Sequence, residues 1–251
     1  MIALGLDIGS VAAKGVLLNG DDIRTAVAST GWNPRDAGEK LVAGFLAASG
    51  IERADISIVA TGYGRVSYKG ADKTVTEISC HAKGVAYLLP GTDTIIDVGG
   101  QDSKVMRINE RGRVTEFAMN DKCAAGTGRF LQVTAAALGL DLQRLSDEED
   151  ARAETAISSM CAVFAESEII GLLAAGEPKG AIIAGLHRSV GKRVAAMARR
   201  LGVGEKVAFT GGVALNRGIR RTLAEELGRP VFVPELCQFA GALGAALLAL
   251  E

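Results

Sequence analysis

The feature that most constrains the fold is an Asp-x-Gly pattern that occurs twice. The first copy, DIGSVAAKGVLL, begins at Asp7, and the second, DVGGQDSKVMRI, begins at Asp97. In each copy an apolar run precedes the aspartate, a lysine follows seven positions later (Lys14 and Lys104), and another apolar run comes next. Each copy therefore predicts a strand, a polar turn and a second strand. Two such copies predict a duplicated α/β fold, with two lobes around a cleft.

Helical spacing of apolar residues predicts the elements that complete the two lobes. We expect lobes at residues 1–92 and 93–251, with the option that the last helix packs back on the first lobe. Further strands are predicted in ISIVATG, KVAFTGG and PVFVP. Helices are predicted over residues 36–49, 77–89, 123–138, from 146 onward, and over 159–175, 179–201, 216–227 and 241–250.

The composition narrows the possible partners. The 251 residues carry 28 basic and 29 acidic side chains, a net charge of −1, which argues against nucleic acid as the main partner. The opening MIALGLDIG lacks the basic region of a secretory signal, and GALGAALLALE is too short to span a bilayer. We therefore expect a cytoplasmic protein without membrane contact. Disulfides are rare in that compartment, so the four cysteines are expected to be buried thiols or ligands.

The two turns have the composition of phosphate-binding turns. Glycine allows backbone N–H groups to approach a phosphate closely, and an aspartate beside a phosphate is favourable when it holds Mg²⁺, usually through water. One Asp-x-Gly could equally be an ordinary hairpin, but two copies followed by FTGGVALNRGI favour nucleotide binding. The candidates are Asp7, Gly9, Ser10 and Lys14 in the first turn, and Asp97, Gly99, Gly100, Gln101 and Asp102 in the second, with Asp7, Asp97 and Gln101 assigned to catalysis.

The third glycine-rich segment supplies candidates for the base and sugar of a nucleotide. Gly211 and Gly212 leave room for a flat adenine and a ribose against the backbone. Asn216 is positioned to cap the next helix and to contact the nucleotide. Lys14 and Lys104 could offset phosphate charge, or could only cap their turns.

These segments resemble the ATPase fold that actin, sugar kinases and heat-shock chaperones share. More closely, DIGSVAAKGVLL, TEISCHAKG, IIDVGGQDSKV, MNDKCAAGTGRFL, SMCAVFAESEI and TGGVALN resemble the activator component of 2-hydroxyacyl-CoA dehydratases. The ATPase subunits of benzoyl-CoA reductase share the pattern. The resemblance runs from Leu4 to about Ala249, and the two segments around Cys123 and Cys161 are its most specific part.

The resemblance implies a homodimer that hydrolyses ATP to ADP with Mg²⁺ and passes one electron to an acyl-CoA dehydratase or reductase. Ferredoxin or flavodoxin would be the electron donor. The family's two cluster cysteines fall on Cys123 and Cys161. A four-iron–four-sulfur cluster generally requires four thiolates, so two copies of the chain would hold one cluster between them. Without the resemblance, the spacing of these cysteines would favour ordinary buried thiols.

The sequence also predicts where the cysteines, the histidines and the glycines near Cys123 lie. Cys123 and Cys161 are each expected to begin a helix, where the helix dipole favours thiolate and cluster charge. Gly126 and Gly128 would allow backbone to approach a cluster. Cys80 and Cys237 are expected in the core, with His81 packed beside them or contacting a loop near the nucleotide. The stretch 187–200 is expected to be a solvated basic helix face that exposes His187, with docking of an acidic electron donor as the alternative.

Three alternatives remain open from the sequence. The first is the ATPase subunit of a benzoyl-CoA-type or other ATP-driven reductase. The second is a small-molecule kinase of the same fold, which would use an aspartate general base and no iron. The third is a nucleotide sensor that binds ATP without turnover.

Overall fold

The computed structural model describes residues 2–159 and 161–251, which form two compact units. The first unit contains the chain up to Asp93 together with Ile108–Thr115 and Pro234–Glu251. The second unit contains Thr94–Arg107 and Glu116–Val233. The polypeptide therefore contributes to the first unit in three separate stretches, the last of which includes the C-terminal helix.

Groups of strands are interspersed with helices along the described chain, as in an α/β fold. The strands are β1 (Ile2–Ile8), β2 (Ala12–Asn19), β3 (Asp22–Ser29), β4 (Ile56–Thr61), β5 (Lys73–Thr74), β6 (Thr94–Val98), β7 (Ser103–Ile108), β8 (Val114–Asn120), β9 (Val207–Thr210) and β10 (Val231–Phe232). The helices are α1 (Pro34–Ser49), α2 (Glu77–Leu88), α3 (Gly128–Ala137), α4 (Ala162–Ala174), α5 (Lys179–Leu201), α6 (Arg217–Leu227) and α7 (Ala240–Ala249). No helix among the described residues has both the length and the apolar character needed to cross a bilayer.

The two five-stranded sheets repeat one topology. Their strand orders are β3-β2-β1-β4-β5 and β8-β7-β6-β9-β10. In each sheet the strand that ends in the Asp-x-Gly turn pairs antiparallel with the next strand, which places Asp7 opposite Lys14 and Asp97 opposite Lys104. The same strand pairs in parallel with a later one, β4 or β9. The duplication predicted from the repeated turns is confirmed.

Helices cover the first sheet with largely aliphatic side chains. Leu41, Val42 and Phe45 of α1 pack with buried residues of β1, β2 and β4. The C-terminal helix α7 contributes Ala242, Leu243 and Ala246 to a second buried cluster with residues of β2. Asn33 caps the start of α1 and Gly50 ends it in a left-handed conformation, which explains why this helix was predictable from local signals.

The helix predicted from Ser146 onward is wrong. Apart from a short 3₁₀ turn over Leu142–Arg144, the described residues between α3 and α4 form turns and irregular structure. Gly180 of α5 packs directly against this backbone, since a Cβ there would lie 3.0 Å from both Asp150 N and Glu148 O. Asp150 N donates to Gly180 O at 3.1 Å. Tertiary contacts with α5 therefore take the place of the helix that was predicted from Ser146.

Candidate nucleotide turns and cysteine segments

The first turn (residues 7–14) places a buried carboxylate at the end of β1. Asp7 is 4% exposed, while Gly9 and Ser10 are half-buried. The turn is braced by Thr30, whose Oγ1 donates to Gly9 O at 2.7 Å and whose N–H donates to Val11 O at 3.0 Å. These two hydrogen bonds hold the backbone after Asp7 in one conformation. A phosphate-binding turn needs such an ordered backbone.

The second turn (residues 97–104) has the same plan and a denser network of charge. Asp97 is 2% exposed, and Thr210 Oγ1 donates to its Oδ1 at 3.0 Å. The buried Lys104 Nζ lies 2.7 Å from Asp102 Oδ2 and 3.7 Å from Asp97 Oδ2. Lys104 thus balances the carboxylates of its own turn, which is the capping role that the sequence left open.

The backbone of the second turn is closed by a hydrogen bond from Gly99 N to Asp102 O at 2.9 Å. Gly100 follows as a half-buried residue, and the side chain of Gln101 is exposed. The catalytic role assigned to Gln101 stays a prediction, as do the ligand-binding roles of its neighbours.

A threonine–glycine pair in each unit also belongs to these turns, and of the four residues only Gly211 was a candidate from the sequence. Thr61 lies opposite Asp7 in the β1–β4 ladder, and Thr210 lies opposite Asp97 in the β6–β9 ladder. Each threonine is followed by a glycine at positive φ, 83° for Gly62 and 86° for Gly211. The repeated Thr-Gly after a buried strand, in ISIVATG and KVAFTG, was the signal that could have found them.

The aspartates leave no space for a side chain at either glycine. A Cβ on Gly62 would lie 2.5 Å from Asp7 Oδ1, and a Cβ on Gly211 would lie 3.0 Å from Asp97 Oδ1 and collide with Val98 O. A positive φ is also strained for any residue with a Cβ. By contrast, no heavy atom lies within 4 Å of a Cβ on Gly212, so the backbone there borders open space.

Asn216 occupies its predicted place as the cap of α6. Its Oδ1 accepts from Ile219 N at 2.9 Å, and its Nδ2 lies 3.1 Å from His187 Nε2. The capping prediction is confirmed, while the contact with a nucleotide stays a prediction. The arrangement ties the segment after Gly212 to α5.

The expectation that His187 is exposed is wrong. His187 is 0% exposed, and its Nδ1 lies 3.0 Å from Glu149 Oε1. Arg221 Nη2 donates to the same carboxylate oxygen at 2.6 Å. Because α5 packs against α6, His187 lies in an internal hydrogen-bond network that holds the cap of α6.

We expect Glu149→Gln to lower the free energy of unfolding by about 2 kcal/mol at pH 7, since the change removes the negative charge that pairs with Arg221 and weakens the acceptor for His187 Nδ1. Burial raises the pKa of Glu149, but hydrogen bonds and charge from His187 and Arg221 outweigh it and leave the pKa below its usual value. A carboxylate of this kind stabilises the fold above its unfolded pKa, about 4.3, and loses that effect as the pH falls through the lower folded value.

The difference between wild type and Glu149→Gln should therefore shrink below about pH 4. Urea unfolding of both proteins at pH 7 and at pH 3.5 measures this difference in the free energy of unfolding. Glu148→Gln is the matched control, since Glu148 pairs with Arg144 on the surface. An equal deficit at both pH values would contradict the prediction.

Cys123 is exposed and lies five residues before α3, so the expectation that it begins a helix is wrong. Asn120 closes a compact turn instead. Its Nδ2 donates to Cys123 O at 2.8 Å and to Ala125 O at 3.2 Å, and its Oδ1 accepts from Cys123 N at 3.3 Å. Residues 120–127 (the Cys123 segment) thus present the thiol from a hydrogen-bonded loop.

The start of α3 rests on the second turn. Gly128 N donates to Gly99 O at 2.9 Å, and Arg129 N donates to Gly100 O at 2.7 Å. A Cβ on Gly128 would lie 3.2 Å from Gly100 Cα. Gly128 therefore makes room for this turn, and not for a cluster as the sequence suggested. The contact joins the candidate phosphate turn directly to the end of the Cys123 segment.

Cys161 is exposed and caps α4, as predicted, with its carbonyl accepting from Ala165 N at 2.9 Å. On the first turns of this helix, Val163 and Phe164 are each 68% exposed. Neighbouring exposed apolar side chains such as these are a common feature of protein contacts.

The other two cysteines lie in the core, as predicted. Cys80 is 0% exposed and Cys237 is 1% exposed. Burial raises the pKa of the Cys80 thiol to about 11, which keeps it protonated and unreactive. His81 is also buried, with Nε2 3.7 Å from Glu77 Oε1.

The repeated sheet order and the paired aspartate turns define the class of ATPases related to actin and the sugar kinases. A ROK family glucokinase from Streptomyces griseus shares this fold, with a TM-score of 0.59 at 18% identity over 100% of this chain and 99% of that one. Residues 4–249 match the BadF/BadG/BcrA/BcrD ATPase family, and the chain belongs to that family.

Two similar proteins are named as activators of acyl-CoA dehydratases, and a third as a dehydratase component. The activator of 2-hydroxyisocaproyl-CoA dehydratase from Clostridium difficile, solved with bound ADPNP, has a TM-score of 0.94 at 46% identity, covering 99% of this chain and 94% of its own. The Acidaminococcus fermentans (R)-2-hydroxyglutaryl-CoA dehydratase component A has a TM-score of 0.94 at 42% identity, covering 100% of both chains. The activator of lactoyl-CoA dehydratase from Anaerotignum propionicum is 47% identical over 100% of this chain and 98% of its own.

Proposed function

We propose that this protein is an ATP-dependent one-electron donor that reductively activates a 2-hydroxyacyl-CoA dehydratase. The observation that carries the proposal is a pair of exposed cysteines in an ATPase of this family, one of them on a segment that contacts a candidate phosphate turn. The names of the similar activators support the dehydratase as the partner. A small-molecule kinase would have no use for the exposed thiols.

We assign the phosphates of ATP to the two aspartate turns, with Lys14 available for charge in the first of them. Asp7 and Asp97 offer the carboxylate oxygens that Mg²⁺ prefers, and both are held by ordered strand ends. Gln101 is the exposed polar side chain of the second turn, where it could orient the attacking water. The open space at Gly212 supports an assignment of adenine and ribose to that segment.

The cysteine pair suits a cluster shared by two chains. One chain offers two exposed thiols, Cys123 and Cys161, whereas Cys80 and Cys237 are buried. Four cluster ligands therefore require a second copy, related by a two-fold axis. The exposed Val163 and Phe164 beside Cys161 support a protein contact there. When bound, the cluster would supply a one-electron carrier, which ferredoxin or flavodoxin would reduce.

Hydrolysis can be coupled to the thiol site through the main chain. The hydrogen bonds from Gly128 and Arg129 to Gly99 and Gly100 join α3 to the second turn. A shift of that turn when phosphates bind or leave would move the start of α3 and the loop that carries Cys123. Such a rigid linkage is the physical basis for nucleotide-dependent exposure of a redox site.

Anaerobic purification tests the proposal. We expect about four irons and four sulfides per two chains, a dimer by sedimentation, and ATP turnover that supports reduction of a dehydratase. A monomer without iron that phosphorylates a small molecule would contradict the proposal and establish the kinase. Nucleotide binding without turnover would establish the sensor.

A further inference from the structure

We propose that Glu168 and Arg193 are positioning residues that hold the cysteine-bearing segments of one chain in ligand geometry before any cluster is bound. The proposal rests on the proposed function, because it assigns Cys123 and Cys161 as ligands. Neither residue was assigned a role from the sequence.

Glu168 holds the chain that leads to Cys161. It lies on α4, and its two carboxylate oxygens accept from Ser158 N, Ser158 Oγ and Ser159 N, each at 2.8 Å. Partial burial raises the pKa of Glu168, but the hydrogen bonds from Ser159 and Ser158 outweigh it and bring the pKa down to about 2. The carboxylate is therefore ionised at any physiological pH, and its hydrogen bonds are of the strong, charge-assisted kind.

Arg193 holds the carbonyl group of Ser159. It lies on α5, and its Nη2 donates to Ser159 O at 3.0 Å. Ser159 is thus fixed by its N–H through Glu168 and by its C=O through Arg193, two positions before Cys161. A charged partner on each side leaves this backbone with one arrangement, in contrast to an exposed loop held by neutral contacts.

Arg193 also contacts the elements around Cys123. Its guanidinium carbon lies 5.3 Å from the ring centroid of the buried Phe130 on α3, a cation–π contact. Its Cβ lies 3.7 Å from the position that a Cβ on Gly126, within the Cys123 segment, would occupy. A cavity of about 440 Å³ has Arg193, Asn120 and Gly126 in its wall. One side chain on α5 therefore binds the segment before Cys161 and lies beside the Cys123 segment.

Holding both segments before the metal arrives has a definite physical effect. A ligand that is already in place loses less conformational entropy on binding, so the cluster is held more tightly and lost more slowly. Changes to residues that orient metal ligands typically weaken metal binding by about 10-fold to 100-fold. The same residues should affect the spectroscopic signature of the cluster, because they set the geometry of its thiolates.

The variants Glu168→Gln and Arg193→Met test the proposal in the full-length chain. Two measurements are made on each: amide hydrogen exchange over residues 156–161 in the iron-free protein, and the rate of iron transfer from the loaded protein to a ferrous chelator without air. Glu166→Gln and Lys192→Met are the matched controls, since both residues are exposed neighbours on the same helices. Arg193→Lys tests rescue by a conservative change.

We expect both variants to exchange the Ser158 and Ser159 amides about 10-fold faster and to lose iron about 10-fold faster, with an altered electron paramagnetic resonance spectrum of the reduced cluster. The controls should match wild type, and Arg193→Lys should lie between wild type and Arg193→Met. Normal rates of iron loss in Glu168→Gln and Arg193→Met would overturn the positioning role. Absence of iron from the wild type would instead overturn the proposed function, while hydrogen exchange would still report whether the two residues hold the segment.

Discussion

Alanine at Cys123 or Cys161 should abolish iron binding and leave the nucleotide turns folded. Both thiols are exposed, so neither substitution opens a cavity in the core. Each dimer would lose two of its four ligands, because the two-fold axis repeats the change. Iron and sulfide analysis after anaerobic purification should fall from about four per two chains to near zero, with weaker dimerisation by sedimentation.

The buried cysteines provide the control for this experiment. Cys237→Ala removes a thiol that is 1% exposed, and it should keep the full iron content at a cost of about 1 kcal/mol in the free energy of unfolding. ATP binding should survive all three substitutions. If Cys123→Ala or Cys161→Ala kept the wild-type iron content, the assignment of the cluster ligands would be wrong.

The second large effect is expected at Gly211. Its φ of 86° is strained for alanine, and a Cβ would collide with Val98 O beside Asp97. The turn must shift to accept it, and displacement of a catalytic carboxylate by about 1 Å can cost about 100-fold in rate. We expect Gly211→Ala to reduce ATP turnover by about that factor and to lower the free energy of unfolding by about 1–2 kcal/mol.

Gly212→Ala is the matched comparison one residue further on. No heavy atom surrounds its Cβ position within 4 Å, so stability should change by less than about 0.5 kcal/mol. If adenine and ribose pack against this backbone, the added methyl group should raise the KM for ATP. Steady-state ATP turnover and urea unfolding of both variants measure these effects. Equal turnover in Gly211→Ala and wild type would show that the second turn takes no part in hydrolysis.

The sequence predicted those parts of the fold that local chemistry determines. The bounds of α5, 179–201, were predicted without error, because an apolar period of 3.6 ends at a glycine. The duplicated sheets followed from two turns of equal spacing. Cys161 was correctly placed at the start of α4 for the same local reasons.

Long-range contacts explain the errors. His187 has the sequence context of an exposed basic helix, and only the packing of α6 on α5 buries it against Glu149. Local signals predict a helix from Ser146 onward, but the backbone there packs against Gly180 and hydrogen-bonds to it instead. Cys123 precedes α3 because Asn120 closes a turn around it, and that turn has no periodic signal. The positioning by Glu168 and Arg193 was missed because each acts on a peptide group distant in the chain.

The contact between the second turn and α3 cannot be tested by changing side chains. It consists of amide protons of Gly128 and Arg129 and carbonyl oxygens of Gly99 and Gly100, with no side-chain functional group involved. Conventional alanine scanning would leave every one of these bonds chemically intact. Replacing a single amide by an ester through chemical ligation would remove one donor at a time, and would test the proposed coupling between nucleotide hydrolysis and the thiol site.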